Sequence, residues 1–175
     1  MGLTQLPQNY RECQVIDLQK DKKAFIIVNV LSVFIAVALV VLGLFISPID
    51  LFTEEDALSD LLFPLLIALV GIIVYLFMHE AIHGVFMYAF SKVKPKFGFK
   101  SVYAYAGSTA YFNKVQYIII ALAPVVILGV ALLVANFFTT GLWFWAIYLI
   151  QIMNLGGAAG DYYVTVKMRG LSKDI

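Results

Sequence analysis

The chain's two histidines, His79 and His83, belong to the motif His79-Glu80-Ala81-Ile82-His83 inside a long apolar run. On an α-helix, this spacing places both imidazoles on one face, where they can bind one zinc ion. Glu80 lies between them, in position to take a proton from a water molecule at the metal. Ionisable side chains are costly at membrane depth, so they mark a functional site by default. The motif therefore predicts a zinc hydrolase site within a membrane.

The composition is that of a polytopic membrane protein. The 175 residues are 62% hydrophobic and 13% charged, and the mean hydropathy is +0.92. A soluble domain would be about half apolar and about a quarter charged. The net charge of +1 gives no reason to expect nucleic acid or another polyanion as a partner. The single cysteine, Cys13, excludes a disulfide within the chain.

Four apolar runs are long enough to cross a bilayer, which takes about 20 residues. They predict an all-α polytopic membrane protein with four transmembrane helices. The expected organisation is a cytoplasmic N-terminal segment over 1–23, a four-helix metalloprotease-like membrane domain over 24–164 and a cytoplasmic tail over 165–175. The N-terminal segment lacks the short apolar core of a signal peptide. The four predicted helices cover residues 24–46, 61–90, 117–138 and 142–164.

The orientation in the membrane follows from the basic residues, which favour cytoplasmic segments. All twelve lie before the first helix, between the second and third helices, or in the tail. The loop between the first two helices has none and carries five acidic residues. Both termini and the middle segment are therefore predicted to be cytoplasmic. The motif then lies toward the cytoplasmic end of the second helix.

A third metal ligand can be inferred by elimination, because catalytic zinc usually has three protein ligands and one open position. No other histidine exists, and Cys13 lies in the polar N-terminal segment. After His83 the only acidic residues are Asp161 and Asp174, and Asp174 belongs to the charged tail. Asp161 is the predicted third ligand, since its helix reaches a similar depth. The alternatives are a helix-end carboxylate facing water and histidines that merely bond neighbouring helices.

Small residues precede Asp161 and favour close helix packing. Gly156 and Gly160 form a pair of the kind that brings membrane helices together, here predicted to join the fourth helix to the second. A break in the helix is the alternative interpretation. Gly84 is expected to keep a side chain away from the metal. Asn154, two turns before Asp161 on nearly the same face, is predicted to hydrogen-bond a substrate carbonyl or the oxyanion that forms.

A small β-hairpin is predicted at the cytoplasmic interface between the second and third helices. Two β-prone stretches, 102–106 and 109–112, flank the turn-forming pair Gly107-Ser108. The tyrosines of this segment suit the interfacial zone of a membrane. The alternative is an irregular interfacial loop anchored by those tyrosines.

The motif over 79–84, with Asn154 and Asp161 on a later helix, resembles the site-2 protease class of intramembrane metalloproteases. More narrowly, it is similar to the zincin peptidase family of bacterial membrane proteins. The resemblance spans about 61–164. The site-2 signature on the later helix normally contains a proline and ends in aspartate-glycine, whereas Tyr162 follows Asp161 here.

The resemblance implies one zinc ion per chain held by His79, His83 and Asp161, with Glu80 activating water and Asn154 matching the asparagine of the site-2 motif. The expected activity is hydrolysis of a peptide bond in a membrane-spanning or membrane-anchored protein, near the cytoplasmic face of a bacterial cell membrane. The alternatives are a non-catalytic metal-binding membrane scaffold and a small metal transporter. No oligomeric state follows from the sequence.

Overall fold

A computed structural model of the protein describes residues 3–5, 20–48, 58–100 and 103–170. Within these residues, four helical segments are long and apolar enough to cross a membrane, and a two-stranded antiparallel hairpin lies between the second and third. The predicted fold class is therefore confirmed. In chain order the elements are α1 (Lys22–Ile46), α2 (Leu58–Ser91), β1 (Lys96–Lys100), β2 (Tyr103–Gly107), α3 (Lys114–Phe137), α4 (Gly141–Gly157) and α5 (Ala159–Arg169).

Two helices begin a few residues before their apolar runs because polar residues cap them. The side chain of Asp21 accepts hydrogen bonds from the first backbone N–H groups of α1. At the start of α3, Asn113 and Gln116 each bond the other's backbone N–H and form a capping box. Such caps satisfy N–H groups that have no partner within the helix. The helix boundaries therefore lie in the polar flanks of the apolar runs.

Helix α4 lies at the centre of the bundle and packs against α1, α2 and α3. Its buried aromatic side chains form the main apolar cluster with α1. The Tyr148 hydroxyl donates to the Leu39 carbonyl at 2.8 Å, and the Trp145 indole donates to the Ser47 carbonyl at 2.9 Å. These bonds satisfy the polar ends of large rings in apolar surroundings. Packing and hydrogen bonds thus hold α4 in place, and α5 follows it in the chain.

The predicted fourth helix is two helices, because the chain departs from helical geometry at Ala158. Helix α4 ends at Gly157, and α5 begins at Ala159. Gly156, Gly157 and Gly160 surround the break, and glycine is among the residues least favourable in a helix interior. The break, which was the alternative interpretation of this run, places Asp161 in the first turn of α5.

The predicted hairpin is present, but its turn is not at Gly107-Ser108. Gly107 ends β2 and pairs with Lys96, while 109–112 forms no strand. The hairpin lies against α2, where the Phe99 ring is 6.1 Å from the Phe77 ring between centroids. Strand placement depends on such context as well as on local propensity.

The described basic residues gather at one end of the bundle. The Lys114 side chain at the start of α3 donates to the Arg169 carbonyl at the end of α5. The end of α1 lies beside the start of α4, where Ser47 meets Trp145, so the start of α1 shares the end occupied by α5. That this end is cytoplasmic stays a prediction. Most of the predicted segment 1–23, including Cys13, lies outside the described residues, as do 49–57 and 171–175.

Candidate metal centre

Helix α2 presents His79, Glu80 and His83 toward the inside of the bundle. Side chains four residues apart share a helix face, and the two Nε2 atoms lie 3.2 Å apart. Both imidazoles are buried. The potential ligand atoms of all three residues lie within 4.8 Å of one another. The motif therefore forms a compact group on one wall of the bundle.

Helix α5 brings Asp161 to the two imidazoles. Its Oδ2 atom lies 3.4 Å from His79 Nε2, and its Oδ1 atom lies 3.8 Å from His83 Nε2. Bonds of about 2.0–2.1 Å from zinc to nitrogen or oxygen in a tetrahedral site place ligand atoms about 3.3 Å apart. The separations of 3.2 and 3.4 Å are close to that value, and the 3.8 Å separation, measured from the other carboxylate oxygen, is longer. The structure thus brings the predicted third ligand beside both imidazoles.

The second ring nitrogens of both histidines also have partners. His83 Nδ1 lies 2.8 Å from the Ile120 carbonyl, which only accepts, so this nitrogen carries the hydrogen and Nε2 keeps its lone pair. The Tyr75 hydroxyl donates to the Met153 carbonyl at 3.4 Å and lies 3.1 Å from His79 Nδ1, from which it can accept. The two Nε2 lone pairs and the carboxylate then converge on one point. Hydrogen-bond partners on the Nδ1 atoms are typical of histidines that bind a metal through Nε2.

Glu80 faces the hairpin as well as the two histidines of the motif. The backbone N–H of Ala106 in β2 is directed at its carboxylate. Beside it lies a cavity of about 700 Å³, whose wall includes the motif, Asp161, β2 and the first turns of α3. That volume is within the usual range for ligand sites. A carboxylate, a candidate metal centre and a strand edge therefore line one cavity.

Asn154 lies away from this cavity. Its side chain is fully buried between α4 and α3, where Nδ2 donates to the Val125 carbonyl at 3.1 Å. It packs against Gly129, where a Cβ atom would lie 3.0 Å from Nδ2. Asn154 therefore contacts α3, whereas Asp161 lies beside the histidines of α2. The geometry does not place Asn154 where it could contact a substrate carbonyl.

The glycines have other roles than those predicted. Gly156 faces α1, not α2. The close approach of α2 to α4 is made at Gly71, where a Cβ atom would lie 2.4 Å from Ile150 Cδ1. At Gly84, a Cβ atom would lie 2.4 Å from the Phe97 ring. Gly84 therefore makes room for the hairpin instead of clearing space at the metal.

Three groups at the site were missed from the sequence. Tyr75 lies four residues before His79, so its place on the same helix face was a usable signal. The Ala106 N–H and the Ile120 carbonyl are main-chain groups, for which side-chain identity gives no signal. Recognising them requires the fold.

Comparison with known proteins agrees with this chemistry. A protein-family model described as "Putative zincin peptidase" matches residues 72–175, more than half of the chain. No curated protein and no solved structure matches the chain significantly. The matched region contains the whole motif and Asp161. The chain therefore belongs to the zincin peptidase family, which implies a zinc metallopeptidase.

Proposed function

We propose that the protein is an intramembrane zinc metallopeptidase of the site-2 type in a bacterial cell membrane. The observation that carries the proposal is the convergence of the His79 and His83 Nε2 atoms on the Asp161 carboxylate, within helices long enough to span a membrane. Family membership supports the peptidase chemistry. The reaction is hydrolysis of a peptide bond in a membrane-embedded substrate, near the cytoplasmic face.

In this proposal His79, His83 and Asp161 hold one zinc ion per chain. When bound, zinc would supply a Lewis acid and would lower the pKa of a coordinated water molecule. Glu80 would act as the general base toward the attacking water and would return the proton to the leaving amine. The Ala106 N–H faces the Glu80 carboxylate, and both line the cavity. The second-nitrogen partners Tyr75 and Ile120 hold both imidazoles in place.

The cavity fits an extended peptide. Strand β2 pairs with β1 along one edge, and residues 104–108 line the cavity. An extended substrate segment can pair with main-chain groups of such a strand, as in other cases of β-strand addition. A helical membrane segment must therefore unwind locally before its peptide bond reaches Glu80. The lipid bilayer and a membrane-spanning or membrane-anchored protein are the proposed partners.

The test compares the wild-type protein with Glu80→Gln, both purified in detergent and loaded with zinc. The probe is casein carrying a self-quenched fluorophore, and zinc content is measured on the same samples. A general base contributes about 10²- to 10⁴-fold to a rate. We expect Glu80→Gln to keep its zinc and to lose cleavage by at least about 10²-fold.

Cleavage by Glu80→Gln at the wild-type rate would contradict the proposal. Zinc bound without cleavage of casein or of membrane-spanning peptides by the wild type would favour a metal-binding scaffold. Zinc uptake into proteoliposomes at equal rates in both proteins would favour a small metal transporter. Each outcome separates one alternative from the peptidase.

A further inference from the structure

His83 bonds the Ile120 carbonyl, which in a regular helix would accept a backbone hydrogen bond from within the same helix. In an α-helix, the carbonyl of residue 120 accepts from the N–H of residue 124. Residue 124 is Pro124, which lies inside α3 and has no N–H. Its ring also crowds the carbonyl four residues earlier. The Ile120 carbonyl therefore lacks its usual helical partner, and His83 Nδ1 lies 2.8 Å from it.

Burial makes this pairing specific. Ile120 is 4% exposed, His83 is 8% exposed and Pro124 is less than 2% exposed. A carbonyl buried to this degree pays a desolvation cost unless a protein donor replaces water. His83 supplies that donor, and the bond keeps the hydrogen on Nδ1. The lone pair of Nε2 is then directed at His79 and Asp161.

The residue after the proline is held from the other side. The Val125 carbonyl accepts from the Asn154 side chain of α4 at 3.1 Å. Asn154 is fully buried, and Gly129 leaves the space that its amide occupies. The stretch of α3 around Pro124 is therefore bonded to α2 through Ile120 and to α4 through Val125.

We propose that Pro124 is a positioning residue of the metal centre. By leaving the Ile120 carbonyl to His83, Pro124 sets the tautomer and the orientation of the second imidazole, and Asn154 holds this part of α3 in register with α4. The inference rests on the proposed function, in which His83 is a metal ligand. A proline that only bends α3 would not affect His83 in this way.

The test is Pro124→Ala, which restores a backbone N–H that competes for the Ile120 carbonyl. Zinc affinity is measured on the full chain in detergent by competition with a chromophoric chelator, and Co²⁺-loaded samples report ligand geometry through their visible spectra. Loss of an outer partner of a metal-binding histidine typically weakens affinity about 10- to 100-fold. We expect a loss in that range together with a changed Co²⁺ spectrum.

If Pro124 served only the stability of the fold, Pro124→Ala would change the melting temperature and leave zinc affinity unchanged. Under the proposal, zinc affinity falls while metal-free Pro124→Ala melts at or above the wild-type temperature, because alanine is the best helix former and proline the worst. The matched control is Pro64→Ala, because Pro64 is also a buried proline inside a spanning helix. It lies about 22 Å along α2 from His79, at 1.5 Å per residue. This control should keep the wild-type zinc affinity.

A second measurement does not depend on the variant folding. With two histidines in the chain, ¹⁵N-histidine labelling of the metal-free wild type gives a spectrum that a His79→Gln sample assigns. We expect His83 to carry its hydrogen on Nδ1. A hydrogen on Nε2, or wild-type affinity with an unchanged Co²⁺ spectrum in Pro124→Ala, would overturn the inference alone. Absence of zinc binding by the wild type would instead contradict the proposed function.

Discussion

The backbone N–H of Ala106 is directed at the carboxylate of Glu80. The candidate general base on α2 therefore faces β2, the strand that lines the cavity with it. The strand edge would align a substrate, and the carboxylate would act on that substrate. The two are therefore positioned together. Movement of the hairpin should change the placement of both.

This relationship predicts that Ala106→Pro slows peptide hydrolysis while zinc remains bound. The change removes the N–H that faces the Glu80 carboxylate, and a hydrogen bond from such a group to a charged partner contributes about 1.5–3 kcal/mol. That corresponds to a rate loss of about 10- to 100-fold. Ala106→Gly keeps the N–H and is the matched control. Equal rates in wild type, Ala106→Pro and Ala106→Gly would show that the bond is dispensable.

A second prediction concerns the partner of His79. Tyr75→Phe keeps the aromatic ring but removes the hydroxyl that lies 3.1 Å from His79 Nδ1. Because outer partners orient metal-binding imidazoles, we expect zinc affinity to fall about 10-fold or more. Competition with a chelator measures the change, and Tyr88→Phe, on the exposed side of α2, serves as control. Unchanged affinity in Tyr75→Phe would mean that the hydroxyl does not support the metal centre.

A third prediction tests how the hairpin docks on α2. In Gly84→Ala, the new Cβ atom would lie 2.4 Å from the Phe97 ring, so the ring and β1 must move. We expect peptidase activity to fall several-fold, with zinc content unchanged. Adding Phe97→Ala removes the clash and should restore part of the activity, which makes the two changes non-additive. Strictly additive losses in the double variant would contradict this account of Gly84.

Much of the architecture could be predicted because apolar length and helical spacing are local properties. The four runs correspond to the observed spans, and the spacing of His79 and His83 brings their rings together. Elimination pointed to Asp161, since few acidic residues follow the motif, and the structure places its carboxylate beside both imidazoles. Its role as third ligand stays a prediction. These inferences needed no knowledge of how the helices pack.

The remaining features depend on packing. No local pattern distinguishes the break at Ala158 from a glycine-lined helix contact. Asn154 bonds α3 while Asp161 lies beside α2, which the sequence alone does not reveal. The position of the Ala106 N–H beside Glu80 is a main-chain feature, and side-chain identity does not reveal it. Sequence reasoning therefore located the candidate ligands better than the groups that orient them.

The central claim is that Asp161 completes a zinc site with His79 and His83. The most direct measurement is the zinc content of the detergent-purified wild type beside Asp161→Ala. Asp21→Ala is the control, since that carboxylate caps α1. The account predicts about one zinc per chain in the wild type and in Asp21→Ala, and loss of most of it in Asp161→Ala. Full zinc content in Asp161→Ala, or none in the wild type, would contradict it.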